Sequence, residues 1–439
     1  MTTTMEAPTI TAYQRFMDAK SSAPKATGRT VEMSEINPIL HDWQKEIVKW
    51  AVETSRAAIW ADTGLGKTFM AAEWSRLIGG TALTIAPLAV TQQTIRESAK
   101  LGITMTYVRD QSELTGTGQY ITNYEMSERF NADALDAVVL DESSILKNST
   151  GATRNQLIAQ FQNVPHRLAC TATPAPNDPE ELTSQAEFLG RSTRVNMLAA
   201  YFVHDADGWR LKGHARLPMI TWMATWALAI RTPSDMGYAD GDYILPGLEI
   251  VPHLLDVNSA PDDQLFATDL GGVSGRAAIR KETLAARVGR AAELVASEPS
   301  EPWLIWCGLN DEAIALAKAI PGAVNVHGSM SPEEKAAALL GFADGDIQIL
   351  ITKPGIAAQG LNYQHCARMA FVGLSDSYEQ YYQAIRRCYR YGQKRVVVAN
   401  VILSNLEGQI ARNIASKETQ SKTITAALVD EMKKVRNHS

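Results

Sequence analysis

The chain has little cysteine, no long apolar run and no excess of positive charge, and each shortage removes a class of protein. Its four cysteines (Cys170, Cys307, Cys366 and Cys388) lie far apart and form no Cys-x-x-Cys pair, which excludes a disulfide framework and a zinc ribbon. They read as buried thiols, and His365 beside Cys366 reads as core filling rather than as a metal pair. No stretch approaches the length of a membrane span. Residues 1–30 are rich in Thr, Ala and Ser and lack the apolar centre of a signal peptide, so a cytosolic protein without membrane contact is expected. A net charge of −6 argues against a general nucleic-acid binder. That charge is uneven, however. From Tyr381 to Ser439 there are 11 Lys plus Arg against 4 Asp plus Glu, a basic strip compatible with a narrow channel for a nucleic-acid backbone. Lys433, Lys434 and Arg436 at its end read instead as a solvated tail.

What is present is ordinary globular chain, 45% hydrophobic and 21% charged, and 439 residues are too many for one core. The most informative stretch is Ala61-Asp-Thr-Gly-Leu-Gly-Lys-Thr68. It sits between an apolar run, Ala57 to Trp60, and a helical run, Phe69 to Leu77, the strand–turn–helix context of a phosphate-binding loop. Thr63, Gly64, Leu65 and Gly66 would wrap backbone amides around an anion at the positive end of the following helix. Lys67 would add a mobile charge for the β- and γ-phosphates of ATP, and Thr68 a hydroxyl ligand for Mg2+. Position 61 is Ala where the general pattern has Gly.

Strand-like runs follow at Thr81 to Ala86, Gln119 to Thr122, Ala137 to Leu140 and His166 to Cys170, with helical stretches at Ile39 to Ala51 and Thr91 to Leu101. Alternation of this kind predicts a parallel sheet with helices on both faces and ligand groups at the carboxyl ends of the strands. Residues 186–245 carry no such alternation and read as a helical insertion. Within it, Trp222 and Trp226 share a helix face as core, and Trp209 to Arg216 mixes basic and aromatic groups. From about Ile250 the alternation restarts, with a long helix over Arg276 to Ser297. Strands follow at Trp303 to Cys307, Ala323 to Val326, Ile347 to Ile351, Met369 to Val372 and Val396 to Ile402. Helices intervene at Asp311 to Ala319, Pro332 to Phe342 and Tyr378 to Arg390. The expected layout is a flexible segment 1–30, a first lobe 31–185, the insertion 186–245, a second lobe 246–425 and a tail 426–439.

Two further clusters carry chemistry. Asp141-Glu142 ends an apolar strand read as neighbouring the phosphate-loop strand. Asp141 would hold Mg2+ through water while Glu142 orients and deprotonates the attacking water. In the second half, Gln383, Arg387 and Arg390 fall on one face at helical spacing. With Arg386 they crowd three cations that need an anionic partner, and a γ-phosphate suits the planar guanidinium fork.

With these residues in place, the chain resembles a superfamily 2 helicase-like ATPase of the Swi/Snf type, close to compact versions encoded by bacteriophages and prophages. The resemblance runs from about residue 38 to 420. It includes Gln44, the phosphate loop, Ala86-Pro87-Leu88, Thr122-Asn123-Tyr124, Asp141 to Asn148, Thr171 to Asn177, Leu304 to Cys307, His327-Gly328, Thr352-Lys353 through Gly360-Leu361-Asn362, and Gln383 to Gln393. It implies an α/β fold of two RecA-like parallel-sheet lobes in tandem, with the helical insertion between them, closing on ATP. It further implies that Gln44 meets the adenine edge and that Gly360 joins the nucleotide-binding set. Arg387 and Arg390 would be arginine fingers, and Thr171 and Thr173 would couple nucleotide state to lobe motion. Pro87, Thr122, Asn123, Thr352 and Lys353 would lie toward a tracked strand, contacting phosphates and sugars without reading sequence.

The second acidic motif departs from the family, reading Asp-Glu-Ser-Ser, so Ser144 stands where a histidine is usual. The expected activity is nucleic-acid-dependent ATP hydrolysis driving translocation or remodelling, with DNA preferred over RNA. An RNA helicase is the close alternative, and a nucleotide-gated binding scaffold with little turnover is the alternative of another class. The lack of an attached reader or nuclease points to a minimal motor or to one that takes its targeting from a protein partner.

Overall fold

The computed structural model describes residues 28–148, 151–176, 178–206, 208–255, 283–357, 362–373, 377–404 and 408–437. Gly360, Asn177, nearly all of segment 1–30 and the start of the helix expected at Arg276 lie outside them. The chain divides into two compact units. One comprises residues 1–62, 66–238 and 422–439, the other residues 63–65 and 239–421.

In the first unit the strands are β1 (Arg56–Ala61), β2 (Thr81–Ala86), β3 (Met105–Tyr107), β4 (Gly118–Asn123), β5 (Ala137–Asp141), β6 (His166–Cys170) and, beyond a small hairpin, β9 (Ala227–Ile230). They form one sheet in the order β3-β4-β2-β5-β6-β1-β9, every pairing parallel. Strands buried on both faces have no polar side to show, which is why Ala57–Ala61 of β1 and Ala137–Leu140 of β5 are continuous apolar runs and Ala82–Ala86 of β2 is broken only by Thr84. Helix α1 (Asp42–Thr54) buries Trp43, Ile47, Val48 and Ala51 at helical spacing, and α2 (Lys67–Ile78) buries Met70, Ala71, Trp74 and Leu77. The two are joined where Trp74 Nε1 donates to the Ala51 carbonyl, 3.1 Å away. The remaining helices of this unit are α3 (Leu88–Lys100), α4 (Ala152–Phe161), α5 (Leu182–Phe188), α6 (Arg194–Tyr201) and α7 (Arg216–Met223).

Residues 186–245 therefore hold helices, but they also supply the antiparallel hairpin of β7 (Phe202–Asp205) with β8 (Gly208–Leu211) and the edge strand β9. Helix α7 stops before Trp226, whose backbone carbonyl accepts from Ala58 N at 2.9 Å and so enters the β1 ladder. Trp222 and Trp226 do belong to the core, edge to face at 5.3 Å, with Trp226 also against Trp60.

The second unit is built on β10 (Leu248–Leu255), β11 (Trp303–Cys307), β12 (Val324–Asn325), β13 (Ile349–Thr352), β14 (Arg368–Val372) and β15 (Val397–Ser404). Their order is β10-β15-β14-β11-β13-β12, again all parallel. Alternate residues of β11 enter two separate cores, Leu304 and Trp306 on one face, Trp303, Ile305 and Cys307 on the other. Both faces are thus covered, by helices that include α8 (Leu284–Ser297), α9 (Asn310–Ala319) and α10 (Pro332–Asp344). Short α11 (Pro354–Ala357) and α12 (Tyr378–Ile385) follow. Arg287 and Glu312, both fully buried, meet at 2.7 Å. Glu312 Oε2 also accepts from Gly308 N and Leu309 N, so the carboxylate is well coordinated.

The tail is the end of a long helix, α13 (Gly408–Asn437), on which Lys433 and Lys434 are exposed, as expected. Leu428 and Val429 are buried, and Lys433 reaches Asp235 at 3.4 Å. The charges masked an apolar stripe that needs cover. Among the described residues no helix is long and apolar enough to cross a membrane, and no cluster of His, Cys, Asp and Glu could hold a metal ion. Each of the four cysteines is free and buried.

Candidate active site

A parallel sheet sends the carboxyl ends of all its strands to one side, and the first unit places its chemistry there. After β1 the chain turns through Gly64 and Gly66, both at positive φ (90° and 75°), and enters α2 at Lys67. Gly66 is required for a second reason. A Cβ on it would stand 2.5 Å from Gln44 Nε2. Gln44 is buried in the first turn of α1, its Oε1 accepting from His41 N at 3.0 Å, so its amide is held against the loop. The cradle that a side chain at position 66 would fill is what a polyphosphate wrapped by backbone amides needs, and the loop therefore fits the nucleotide that the sequence implies. Lys67 Nζ donates to the carbonyls of Ala61 at 2.9 Å and Asp62 at 3.4 Å, which holds the ammonium within the loop.

Asp141 and Glu142 lie at the end of β5. The sequence reading made β5 a neighbour of β1, but β6 runs between them. This interposes Thr171, directly after β6, whose Oγ1 donates to Glu142 Oε2 at 3.3 Å and accepts from Thr173 N at 3.1 Å. Thr171 and Thr173 are both buried. Glu142 adopts a left-handed conformation (φ 56°, ψ 54°), unusual away from glycine and asparagine and costing about 1–2 kcal/mol. That turn carries the chain from the strand into the Ser143–Lys147 turn and points Glu142 away from the strand direction. Asp141 stays in the sheet, 9% exposed, with Tyr124 OH donating to its carbonyl at 2.6 Å.

Burial, and then the neighbouring Glu142 charge, raise the Asp141 carboxyl to about 7, with Lys67 pulling it partly back. A carboxyl in that position lacks a sufficient cation among its own neighbours, and a divalent ion is the chemistry that satisfies it. Ser144 is buried, with its Oγ 3.5 Å from the Glu142 carbonyl.

The expected nucleic-acid contacts fare unevenly. Thr122 and Thr352 are fully buried and Asn123 is 3% exposed, so these three side chains do not face a strand in this structure. Thr352 Oγ1 donates to the Val326 carbonyl at 3.2 Å, and Asn123 Oδ1 accepts from Met126 N at 3.0 Å, capping the following turn. Pro87 and Lys353 are half-exposed.

In the second unit the basic stretch is not one helical face. Helix α12 ends at Ile385, and residues 386–392 are turns. The ending is fixed by Tyr363 N, which donates to the Arg387 carbonyl at 2.9 Å, by burial of Cys388 and by Gly392 at φ 90°. Gln383, on α12, lies 3.5 Å from Glu379. Arg386 is enclosed between the rings of Tyr382 and Tyr389, 5.5 and 5.4 Å from their centroids, which takes it out of the set of crowded cations. Arg387 and Arg390 are half-buried on the turns, and Arg390 Nη1 donates to Asn362 Oδ1. Gln393 pins the turns by donating to the carbonyls of Cys366 and Cys388, at 3.0 and 3.2 Å.

A phosphate loop and a strand-end acid pair on one parallel sheet, followed by a second parallel sheet bearing an arginine turn, define a two-lobed, RecA-like ATPase. Comparison with known families is specific: residues 36–197 match the SNF2-related domain and residues 287–392 match the helicase conserved C-terminal domain. The two domains in this order make the chain a nucleic-acid-dependent ATPase. No curated protein matches it. Among solved structures, the Sulfolobus solfataricus SWI2/SNF2 ATPase core in complex with dsDNA is similar over 91% of this chain and 96% of that one, at 17% identity and a TM-score of 0.44. So distant a likeness adds nothing to what the sheets already show.

Proposed function

We propose that the chain hydrolyses ATP to translocate on DNA, remodelling what is bound there rather than chiefly separating strands. The observation that supports this reading is the meeting of Lys67, Asp141, Glu142 and Thr171 at the carboxyl ends of β1, β5 and β6, in a chain that also carries a helicase conserved C-terminal domain. Lys67 and the amides of residues 63–66 bind the phosphates, Gln44 borders the base side of the loop, and Thr68 with Asp141 holds Mg2+. The ion supplies neutralisation of phosphate charge. Glu142 accepts the proton of the attacking water, and Thr171 orients that carboxylate through its hydroxyl. Arg387 and Arg390 supply cations to the γ-phosphate as its charge develops, Gln383 and Gly360 belong to the same set, and Thr173 helps relay nucleotide state. Lys353 and Pro87 touch the DNA backbone, and a protein partner supplies targeting.

The preference for DNA rests on the SNF2-related match, and no observation favours the RNA alternative. Phosphate release measured with and without duplex DNA tests the reading: DNA should raise turnover at least several-fold. Glu142→Gln should retain ATP binding and lose turnover. Unchanged hydrolysis in that variant would refute the assignment of the base, and negligible turnover in the wild type under every condition would leave a nucleotide-gated scaffold.

A further inference from the structure

The opposite end of the first sheet holds a second, unrelated concentration of charge. Arg56 opens β1 and Arg167 is the second residue of β6, and the two are paired directly across the parallel ladder. Like charges in register on adjacent strands repel and are ordinarily selected against. Arg191, on the turn after α5, joins them by donating through its Nε to the Arg56 carbonyl at 3.0 Å and through Nη2 to the Thr54 carbonyl at 3.1 Å.

Every hydrogen bond these three guanidiniums make goes to a backbone carbonyl: Arg56 to Pro165, Arg167 to Phe188, Arg191 to Arg56 and Thr54. Among the described residues no carboxylate pairs with any of them. Arg167 is 2% exposed, and its Nε has no hydrogen-bond partner. Burial first, then Arg56 and Arg191, hold Arg167 down at about 9, and burial and Arg56 hold Arg191 at about 10. For a buried arginine with no carboxylate partner this is a costly arrangement.

The cluster lies close to the surface. Arg167 Nη2 and Arg56 Nη1 converge on Gly190, 2.6 and 3.1 Å from where a Cβ on that residue would stand. Gly190 is exposed and left-handed (φ 65°), and its lack of a side chain is what lets the two guanidiniums pack against its backbone just beneath the surface. Arg56 and Arg191 are half-buried and form the rim, with Arg167 as the floor.

We propose that Arg56, Arg167 and Arg191 form an anion site for a phosphate group, separate from the phosphate loop and at the other end of β1. Guanidinium forks match tetrahedral oxyanions in pairs of hydrogen bonds. A dianion held by the half-buried Arg56 and Arg191 would offset the mutual repulsion that no side chain offsets. The phosphate is either that of a free small molecule or one in a nucleic-acid backbone, and the two sources are separable by experiment.

The test is thermal unfolding with inorganic phosphate against sodium chloride at equal ionic strength. It is made in a Lys67→Ala background, so that the phosphate loop contributes nothing. Phosphate should raise Tm by about 3–5 °C for each tenfold increase above its dissociation constant, and chloride should not. Arg56→Gln with Arg191→Gln, two rim changes that leave the buried Arg167 in place, should abolish the response while circular dichroism shows the fold retained. If the double variant fails to fold, Arg191→Gln alone should weaken the response at least tenfold in phosphate concentration, and Arg191→Lys should restore only part of it. Duplex DNA that competes with phosphate identifies a backbone phosphate as the source; DNA that does not compete identifies a free phosphate compound. An equal response to chloride, a response surviving both rim substitutions, or one lost with Lys67→Ala alone would overturn the proposal and leave the cluster a structural brace.

Discussion

Replacing Asp141 by asparagine should stabilise the protein when nucleotide and Mg2+ are withheld, by an amount set by pH. The carboxyl is shifted from 3.8 to about 7 by burial and by the charge of Glu142. Below pH 4 the group is protonated whether the chain is folded or not, and it costs nothing. Between pH 4 and 7 the unfolded chain releases this proton while the folded chain keeps it, so stability falls as pH rises. Above pH 7 both forms are ionised and the full cost is carried, about 4 kcal/mol for a shift of this size. Asparagine has the same shape, can still accept from Glu142 N through its Oδ1, as Asp141 does at 3.2 Å, and has no charge to bury. The advantage of Asp141→Asn should be about 1–2 kcal/mol at pH 5 and about 4 kcal/mol at pH 8. Even half of that, about 2 kcal/mol, moves Tm by about 4–8 °C. Melting curves of the two proteins at pH 5, 6, 7 and 8 in a metal-free buffer measure the gap, and Mg2+ with ATP should close it by stabilising only the wild type. A gap that is constant across this range, or a variant less stable throughout, would refute the placement of an uncompensated carboxyl at the end of β5.

Gly66→Ala should lower both stability and nucleotide affinity, because the left-handed backbone costs about 1–2 kcal/mol and the new methyl displaces the Gln44 amide. Adding Gln44→Ala should recover part of the Tm without recovering ATP binding; full recovery of both would show that the loop does not depend on this contact. Arg390→Ala should leave ATP affinity nearly intact and lower kcat about 100-fold or more, whereas Arg386→Ala should lower Tm with a much smaller effect on rate, since Arg386 is spent between two tyrosine rings. A wild-type rate in Arg390→Ala contradicts its role.

The central strands were readable from the sequence because a parallel strand buried on both faces has to be a continuous apolar run. β11 begins and ends where that run does, while β2 and β6 carry Thr81, Thr84, His166 and Arg167 around shorter apolar stretches. β3 and β9 were not readable. β3 has only three residues, and β9 follows two tryptophans four apart whose spacing imitates a helix. The same imitation extended α12 through Arg390, where the backbone turns so that Cys388 can be buried and Arg386 enclosed. Of the residues that meet at these strand ends, Lys67 is marked in the sequence by the glycine turn before its helix, Asp141 by closing β5, and Glu142 and Thr171 by directly following strands. Thr122, Asn123 and Thr352 were placed at strand ends correctly, but position along a strand does not say which way a side chain turns, and all three turn inward. The trio of Arg56, Arg167 and Arg191 has no local signature. Strand pairing alone brings the first two into register.

The two ends of the first sheet present the same problem with opposite sign. At the carboxyl end the chain supplies two adjacent acids against one lysine, and the excess appears as a carboxyl that resists ionisation. At the amino end it supplies three arginines with no carboxylate partner, and the excess appears as guanidiniums held well below their ordinary range. A protein selected for stability alone would remove either imbalance by a single substitution, as Asp141→Asn does. Local charge left unbalanced at a marginal stability of only about 5–15 kcal/mol is therefore most economically explained by a partner of the missing sign. The carboxyl end calls for a divalent cation accompanying a polyphosphate, and the amino end calls for an oxyanion. The pH dependence of the first and the phosphate dependence of the second can be measured separately, because no residue belongs to both.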